Sequence, residues 1–176
     1  MNSRFVYPTN TGSLGQLRRL SAPVDLLNSP AFSRSMEERS SALTNTAGAK
    51  PTVLVVEDDD DSLFALKSIL RLKGYRVIEA WDGKQAVQVA ETQDIDLMLL
   101  DLLLPRLHGL GVVRHLRESP KHEALPIVIM TGQPPEENRD SAILAGCDDF
   151  LLKPIDFDRL DVLLDYYAPL AAASES

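Results

Sequence analysis

The chain's 176 residues suffice for one domain with a buried core and leave some length over. Its 44% apolar and 25% charged residues are those of a soluble globular protein, and its single cysteine, Cys147, excludes an internal disulfide and suits a reducing, cytoplasmic setting. No stretch approaches the roughly 20 apolar residues of a membrane span, and the N-terminus lacks the apolar core of a secretory signal.

Residues 1–50 are rich in Ser, Thr, Asn and Pro, with apolar clusters too short to offset the entropy of ordering. They read as a flexible N-terminal extension, with short helices over 14–20 and 36–43 as candidate local structure. Arg4, Arg18, Arg19, Arg34, Arg39 and Lys50 against Asp25, Glu37 and Glu38 give this segment +3, so the remainder carries −11 of the net −8. A part that acidic repels phosphate backbones, which argues against direct nucleic-acid binding.

Residues 51–167 form one domain in which strands alternate with helices, and residues 168–176 are a short C-terminal tail. Val53-Leu54-Val55-Val56 is a β-branched apolar run, the pattern of a strand buried on both faces. Asp59 caps a helix running to residue 73, with Leu63, Leu66 and Leu70 on one side and Gly74 at its end. A second strand spans 75–80. Asp82-Gly83 opens a second helix with Ala86, Val89 and Ala90 inward. Strand 96–100, helix 109–117, strand 126–130 and helix 136–145 follow, the last ended by Gly146. A short strand over 150–152 leads to a helix over 156–167 with Leu160, Leu163, Leu164 and Tyr167 at helical spacing.

Strict β-α alternation implies a parallel sheet with right-handed crossovers and helices on both faces. Five such units predict an α/β, flavodoxin-like, doubly wound five-stranded sheet of order 2-1-3-4-5 with five helices. Such sheets place their functional crevice outside the carboxyl ends of the strands, at the switch point between strands one and three. Strand one ends in Glu57-Asp58 and strand three in Asp101, so three carboxylates converge there. Like charges that close do not all stay ionised cheaply, and a divalent cation of the Mg²⁺ type is the simple remedy. Strand four supplies the hydroxyl of Thr131, and strand five leads to the ammonium of Lys153, followed by Pro154. Carboxylates, a metal, a hydroxyl and an ammonium around one cleft suit phosphoryl transfer.

Four stretches and one glycine carry a resemblance. They are residues 53–59 (VLVVEDD), residues 97–105 (LMLLDLLLP) with Gly109, Thr131-Gly132, and residues 146–154 (GCDDFLLKP). In this order and spacing they resemble the receiver domain of response regulators in two-component signalling, over 51–167. The resemblance implies that Asp101 is the phosphoacceptor. Mg²⁺ would be bound by Asp58, Asp101 and the backbone carbonyl of Leu103, with Glu57 acting through a metal-bound water. It further implies that Lys153 pairs with Asp101 and then with the phosphoryl group. Thr131 and Phe150 would act as switch residues, and Pro154 would follow a cis peptide bond. The implied partners are a histidine kinase or histidine phosphotransfer protein as donor and a downstream protein target, with no nucleic acid and no membrane. The expectation is a stand-alone regulator that catalyses only its own phosphorylation and dephosphorylation.

Two positions depart from the family pattern. Gln133-Pro134-Pro135 is Pro-rich for a loop that must move, and Leu103 is apolar where many receivers carry a polar residue. An aspartate-nucleophile phosphohydrolase is the alternative from the enzyme class, but that chemistry wants a carboxylate at the position of Leu103. A phosphorylation-independent scaffold is a third reading. Cys147 reads as a small buried residue, and His108, His115 and His122, lacking a shared ligand spacing, as surface or helix-capping residues.

Overall fold

Val53 to Val56 form, with Thr52, the strand β1 (Thr52–Val56), buried along its whole length. In this computed structural model, residues 50–133 and 135–170 are described, with the backbone alone for 135–139. The expected N-terminal extension with its two short helices, Pro134, and the tail beyond Leu170 lie outside the described residues. β2 (Arg76–Ala80), β3 (Leu97–Asp101), β4 (Ile127–Thr131) and β5 (Asp149–Leu152) complete a sheet of order β2-β1-β3-β4-β5. Every neighbouring pair is parallel, as the β-α alternation requires.

The helices are α1 (Asp60–Leu72), α2 (Gly83–Thr92), α3 (Gly109–Arg117), α4 (Pro135–Ala145) and α5 (Phe157–Tyr167). Because side chains alternate along a strand, each strand feeds two cores. Leu54, Val56, Met98, Leu100 and Ile129 pack with Ala86, Ala90, Val112 and Leu116 of α2 and α3. Val53, Val55, Leu97, Leu99 and Val128 serve the opposite face, where α1 buries Leu63, Leu66 and Leu70 and α5 buries Leu160, Leu163 and Leu164. Lys73 donates to Asp161 at 2.7 Å and ties α1 to α5.

Side-chain caps start the helices where expected. Asp59 accepts from the Ser62 N–H at 2.8 Å, Asp82 from Lys84 and Gln85, and Asp156 from Asp158 and Arg159. Gly74, at φ 103, ends α1, with Tyr75 N–H bonded to Leu70 O and Gly74 N–H to Arg71 O. That bond pair needs a left-handed residue, and Gly146 at φ 98 repeats it after α4.

Some boundaries differ. Asp101 belongs to β3, whereas Asp96 lies outside it and uses its carboxylate to accept the Thr52 N–H at 2.7 Å. α4 begins at Pro135 instead of Glu136, because proline's fixed φ and missing N–H suit the first turn of a helix. A 3₁₀ turn at Pro120–His122, which no periodicity announced, precedes β4. It corrects the surface assignment of His122, which is buried, with its carbonyl bonded by Arg117 Nη1 at 2.7 Å. Burial, helped by the charge of Lys121, holds the His122 imidazole below its ordinary pKa. His108 does cap α3, receiving the Leu110 N–H at 3.4 Å, and His115 is exposed beside Glu91. Burial, with the charges of Asp148 and Asp149, pushes the Cys147 thiol up to about 12, so it is inert.

Candidate functional site

The register of the sheet builds the site. Val56 pairs with Leu100, so Glu57 and Asp101 leave adjacent strands side by side. The Glu57 N–H continues the β1–β2 ladder by donating to Ala80 O at 3.0 Å, which fixes where its side chain starts. Asp101 pairs with Met130, which sets Thr131 one step further along β4. Lys153 N–H donates to Thr131 O at 2.8 Å, aligning the residues after β5 with the same edge, and the Lys153–Pro154 peptide is cis as expected.

Glu57, Asp58 and Asp101 each place a carboxylate oxygen within 4.8 Å of the others, with Glu57 and Asp101 buried and Asp58 exposed. Lys153 Nζ enters this cluster from the far side of β3, 2.6 Å from Glu57 Oε2 and in contact with Asp101 Oδ2. The other acceptor oxygen, Asp101 Oδ1, accepts the Leu103 N–H at 2.8 Å. Both oxygens of Asp101 are therefore held before any ligand arrives.

The electrostatics follow from this geometry. Burial raises the Glu57 pKa, and the Asp101 charge raises it further against the opposing hydrogen bond from Lys153. Burial by itself lowers the Lys153 pKa, but hydrogen bonds to Asp101 and Glu57 and the attraction of both carboxylates more than offset it, so it is raised. One ammonium is thus shared by two buried carboxylates, and with the exposed Asp58 the cluster sets three carboxylates against one cation. Three hard oxygen donors within reach of one another fit a divalent cation of the Mg²⁺ kind.

The remaining predicted residues surround this centre. Thr131 is buried, and its hydroxyl accepts the Gln133 N–H at 3.0 Å. Phe150, on β5 and paired with Ile129 of β4, is half-buried against the core. The Leu103 side chain stands 56% exposed, so the position where a phosphohydrolase needs a carboxylate offers an apolar surface. Sequence reasoning missed Asp82 and Arg106, whose side chains meet at 3.1 Å across two neighbouring loops.

A doubly wound sheet of this order with an acidic cluster at its switch point is the arrangement of phosphoacceptor signalling domains. The chain belongs to the response regulator receiver domain family, which it matches over residues 53–165, and so to two-component signalling. It is 36% identical over 115 residues to the transcriptional activator protein PfeR of Pseudomonas aeruginosa, covering 65% of this chain and 37% of that one. The chain spans 45% and 28% of the length of two further curated relatives, so it corresponds to less than half of each. The receiver domain of the sensor histidine kinase PA1611 from Pseudomonas aeruginosa, crystallised with magnesium coordinated in its active-site cleft, matches with a TM-score of 0.64. The two are 34% identical over 68% of this chain and 98% of that one. A chain in the Saccharomyces cerevisiae complex of the histidine phosphotransfer protein Ypd1 with the receiver domain of Ssk1 also matches, with a TM-score of 0.64. It is 26% identical over 73% of this chain and 97% of that one. Among the described residues no helix is long and apolar enough to cross a membrane.

Proposed function

We propose that Asp101 accepts a phosphoryl group from a phosphohistidine of a histidine kinase or phosphotransfer protein, and that the modified domain then changes its contacts with a downstream protein. The observation that carries this is the double anchoring of Asp101 between Lys153 Nζ and the Leu103 N–H, beside Glu57 and Asp58. A carboxylate so oriented needs no further ordering for in-line attack. One of its oxygens bonds to phosphorus as the donor's nitrogen–phosphorus bond breaks, and the electron pair leaves with the donor imidazole.

Mg²⁺ held by Asp58, Asp101 and the Leu103 carbonyl, with Glu57 acting through water, would neutralise charge on the phosphoryl oxygens. Lys153 supplies the second positive charge, exchanging part of its contact with Asp101 for a phosphoryl oxygen. Glu57 keeps Lys153 aimed into the cleft. The incoming group adds roughly −1.5 to −2 charge, and the Thr131 hydroxyl is the nearby donor that turns to meet it. Phe150, paired with Ile129 of β4, follows Thr131, which would couple the cleft to the face of α4, β5 and α5. That face carries the exposed apolar side chains of Ile143, Leu144 and Leu152, which suits a protein contact.

On the other flank a groove of about 240 Å³ opens beside Lys153 and is lined by Ala65, Leu66, Pro154, Ile155 and Phe157. It gives the donor an apolar seat next to the acceptor. The proposed setting is the cytoplasm, on the ground that the one cysteine makes no internal disulfide. The test is intact-mass spectrometry after incubation with acetyl phosphate and Mg²⁺. Wild type gains one hydroxylamine-sensitive phosphoryl mass and Asp101→Asn gains none. A wild-type protein that gains none, or an asparagine variant that still gains it, overturns the assignment.

A further inference from the structure

Residues 102–108, which join the acceptor strand to α3, form a closed loop. Gly109 N–H donates to Leu102 O at 3.0 Å and shuts its base, while the Leu103 N–H, on its first limb, orients Asp101. At its far end Leu107 N–H donates to Pro105 O at 2.7 Å across Arg106, which sits at φ 64. An i to i+2 bond around a residue of positive φ is the rarer, strained form of γ-turn. For a non-glycine residue such strain persists where surrounding contacts over-determine it, and it concentrates at functional sites.

Two contacts over-determine it here, both with the turn between β2 and α2. The Leu107 carbonyl oxygen lies so close to Gly83 that a Cβ there would sit 2.1 Å away. Arg106 Nη2 reaches Asp82 Oδ2 at 3.1 Å. The two carboxylate oxygens of Asp82 divide their work: Oδ1 accepts the Lys84 and Gln85 N–H groups and caps α2, and Oδ2 holds Arg106. The pair is lopsided. The Asp82 side chain is 4% exposed and that of Arg106 68%. An exposed ion pair counts for little, but a desolvated carboxylate gains from its one guanidinium.

We propose that Asp82 and Arg106 form a latch that holds the β3–α3 loop in the shape presenting the Leu103 main chain to Asp101, which makes both of them positioning residues for the acceptor site. The proposal rests on the receiver reading, because the Leu103 main chain matters to phosphorylation only if Asp101 is the acceptor. The latch itself is a property of the unmodified protein. It ties the β2–α2 turn to the acceptor loop, so events at one are felt at the other.

Asp82→Asn separates the latch from the cap, since asparagine caps a helix as well as aspartate but carries no charge for Arg106. Three variants, Asp82→Asn, Arg106→Ala and the double, are compared with wild type by two measurements on the whole chain. The first is hydrogen exchange of the Leu103 amide in metal-free protein, with no phosphodonor present. The second is titration with Mg²⁺ alone, read by the fluorescence of Trp81, the chain's single tryptophan and the neighbour of Asp82. Residues that orient metal ligands typically change affinity about 10- to 100-fold when lost, and a residue one step further out should change it about three- to tenfold. Each single variant is expected to speed Leu103 exchange and weaken Mg²⁺ binding by about that factor, with the double no worse than the worse single. Unchanged Leu103 exchange in both single variants, or effects that add in the double, would overturn the latch. The exchange readout does not depend on phosphorylation, so failure of the acceptor assignment shows separately, as phosphorylation of Asp101→Asn.

Discussion

Lys153→Met removes the ammonium and keeps most of the side chain's bulk. In the wild type that ammonium touches Glu57 and Asp101, whose side chains are 3% and 10% exposed. Without it two desolvated carboxylates face each other. Breaking a buried pair by deleting one partner costs about 3–5 kcal/mol, and Lys153 is a quarter exposed, so about 3 kcal/mol is expected at neutral pH. For a domain of this size that is a drop in Tm of about 10 °C. The pH dependence carries the sharper test. Burial already raises the Glu57 pKa, and the variant loses the hydrogen bond and attraction of Lys153 that pull it down. A carboxyl whose folded pKa is raised contributes stability that is full below its unfolded value, about 4.3, and is lost as pH rises through the folded value. The cost of Lys153→Met is therefore largest above the raised Glu57 pKa and shrinks as pH falls through it, because Glu57 then takes up a proton. Urea unfolding of both proteins at about pH 8 and about pH 5 reads the difference. Adding Glu57→Gln should recover most of the loss at the higher pH. Equal destabilisation at the two pH values, or no recovery in the double variant, refutes the assignment of Lys153 as the counter-charge of this pair. The same variant should slow phosphorylation by acetyl phosphate by about a hundredfold, the scale of one lost charge-stabilising donor.

Leu103→Asn places a hydrogen-bond acceptor at an exposed apolar position two residues past Asp101, where it would orient a water for hydrolysis of the phosphorylated form. Decay of the phosphorylated protein after donor removal should quicken about 10- to 100-fold, or about 1.4 kcal/mol per tenfold. Equal or slower decay would show that Leu103 does not control that water. Mg²⁺ should raise the wild-type Tm, by about 2.7 kcal/mol of stability at a hundred times its Kd, and a rise of equal size in Asp58→Asn would remove Asp58 from the ligand set. Arg117→Ala should cost about 3 kcal/mol, because Arg117 bonds Gly146 O at 2.8 Å, His122 O at 2.7 Å and Asp148 Oδ2 at 2.8 Å, and three acceptors lose a charged donor at once. A thermal shift under about 2 °C would show that this junction relaxes without it.

The order of elements was legible because each signal is local. An apolar run such as residues 53–56, the capping aspartates 59, 82 and 156, and the glycines 74 and 146 act through neighbours a few residues away. From parallel order alone, the switch-point rule then brings the carboxyl ends of β1 and β3 together, and with them Glu57, Asp58 and Asp101. The 3₁₀ turn at Pro120–His122 escaped, since three residues are too few to show a period and its stability comes from Arg117 outside it.

What only the tertiary structure decided is how each group in the cleft is held. Lys153 bridges Glu57 and Asp101 across a separation of 52 residues from the latter, and no spacing in the chain encodes a contact at that distance. Leu103 drew attention for its apolar side chain and its main-chain carbonyl, whereas the bond it makes to the acceptor uses its main-chain N–H, a group that every residue but proline carries. Asp82 read as the opening of a helix, and nothing in the sequence set Arg106 apart, until the loops after β2 and β3 were set side by side. Side-chain type and period write the strands, helices and cluster of acids into the sequence. Pairing, burial and main-chain contact depend on which elements the finished sheet makes neighbours, so the roles of these residues exist only in the folded chain.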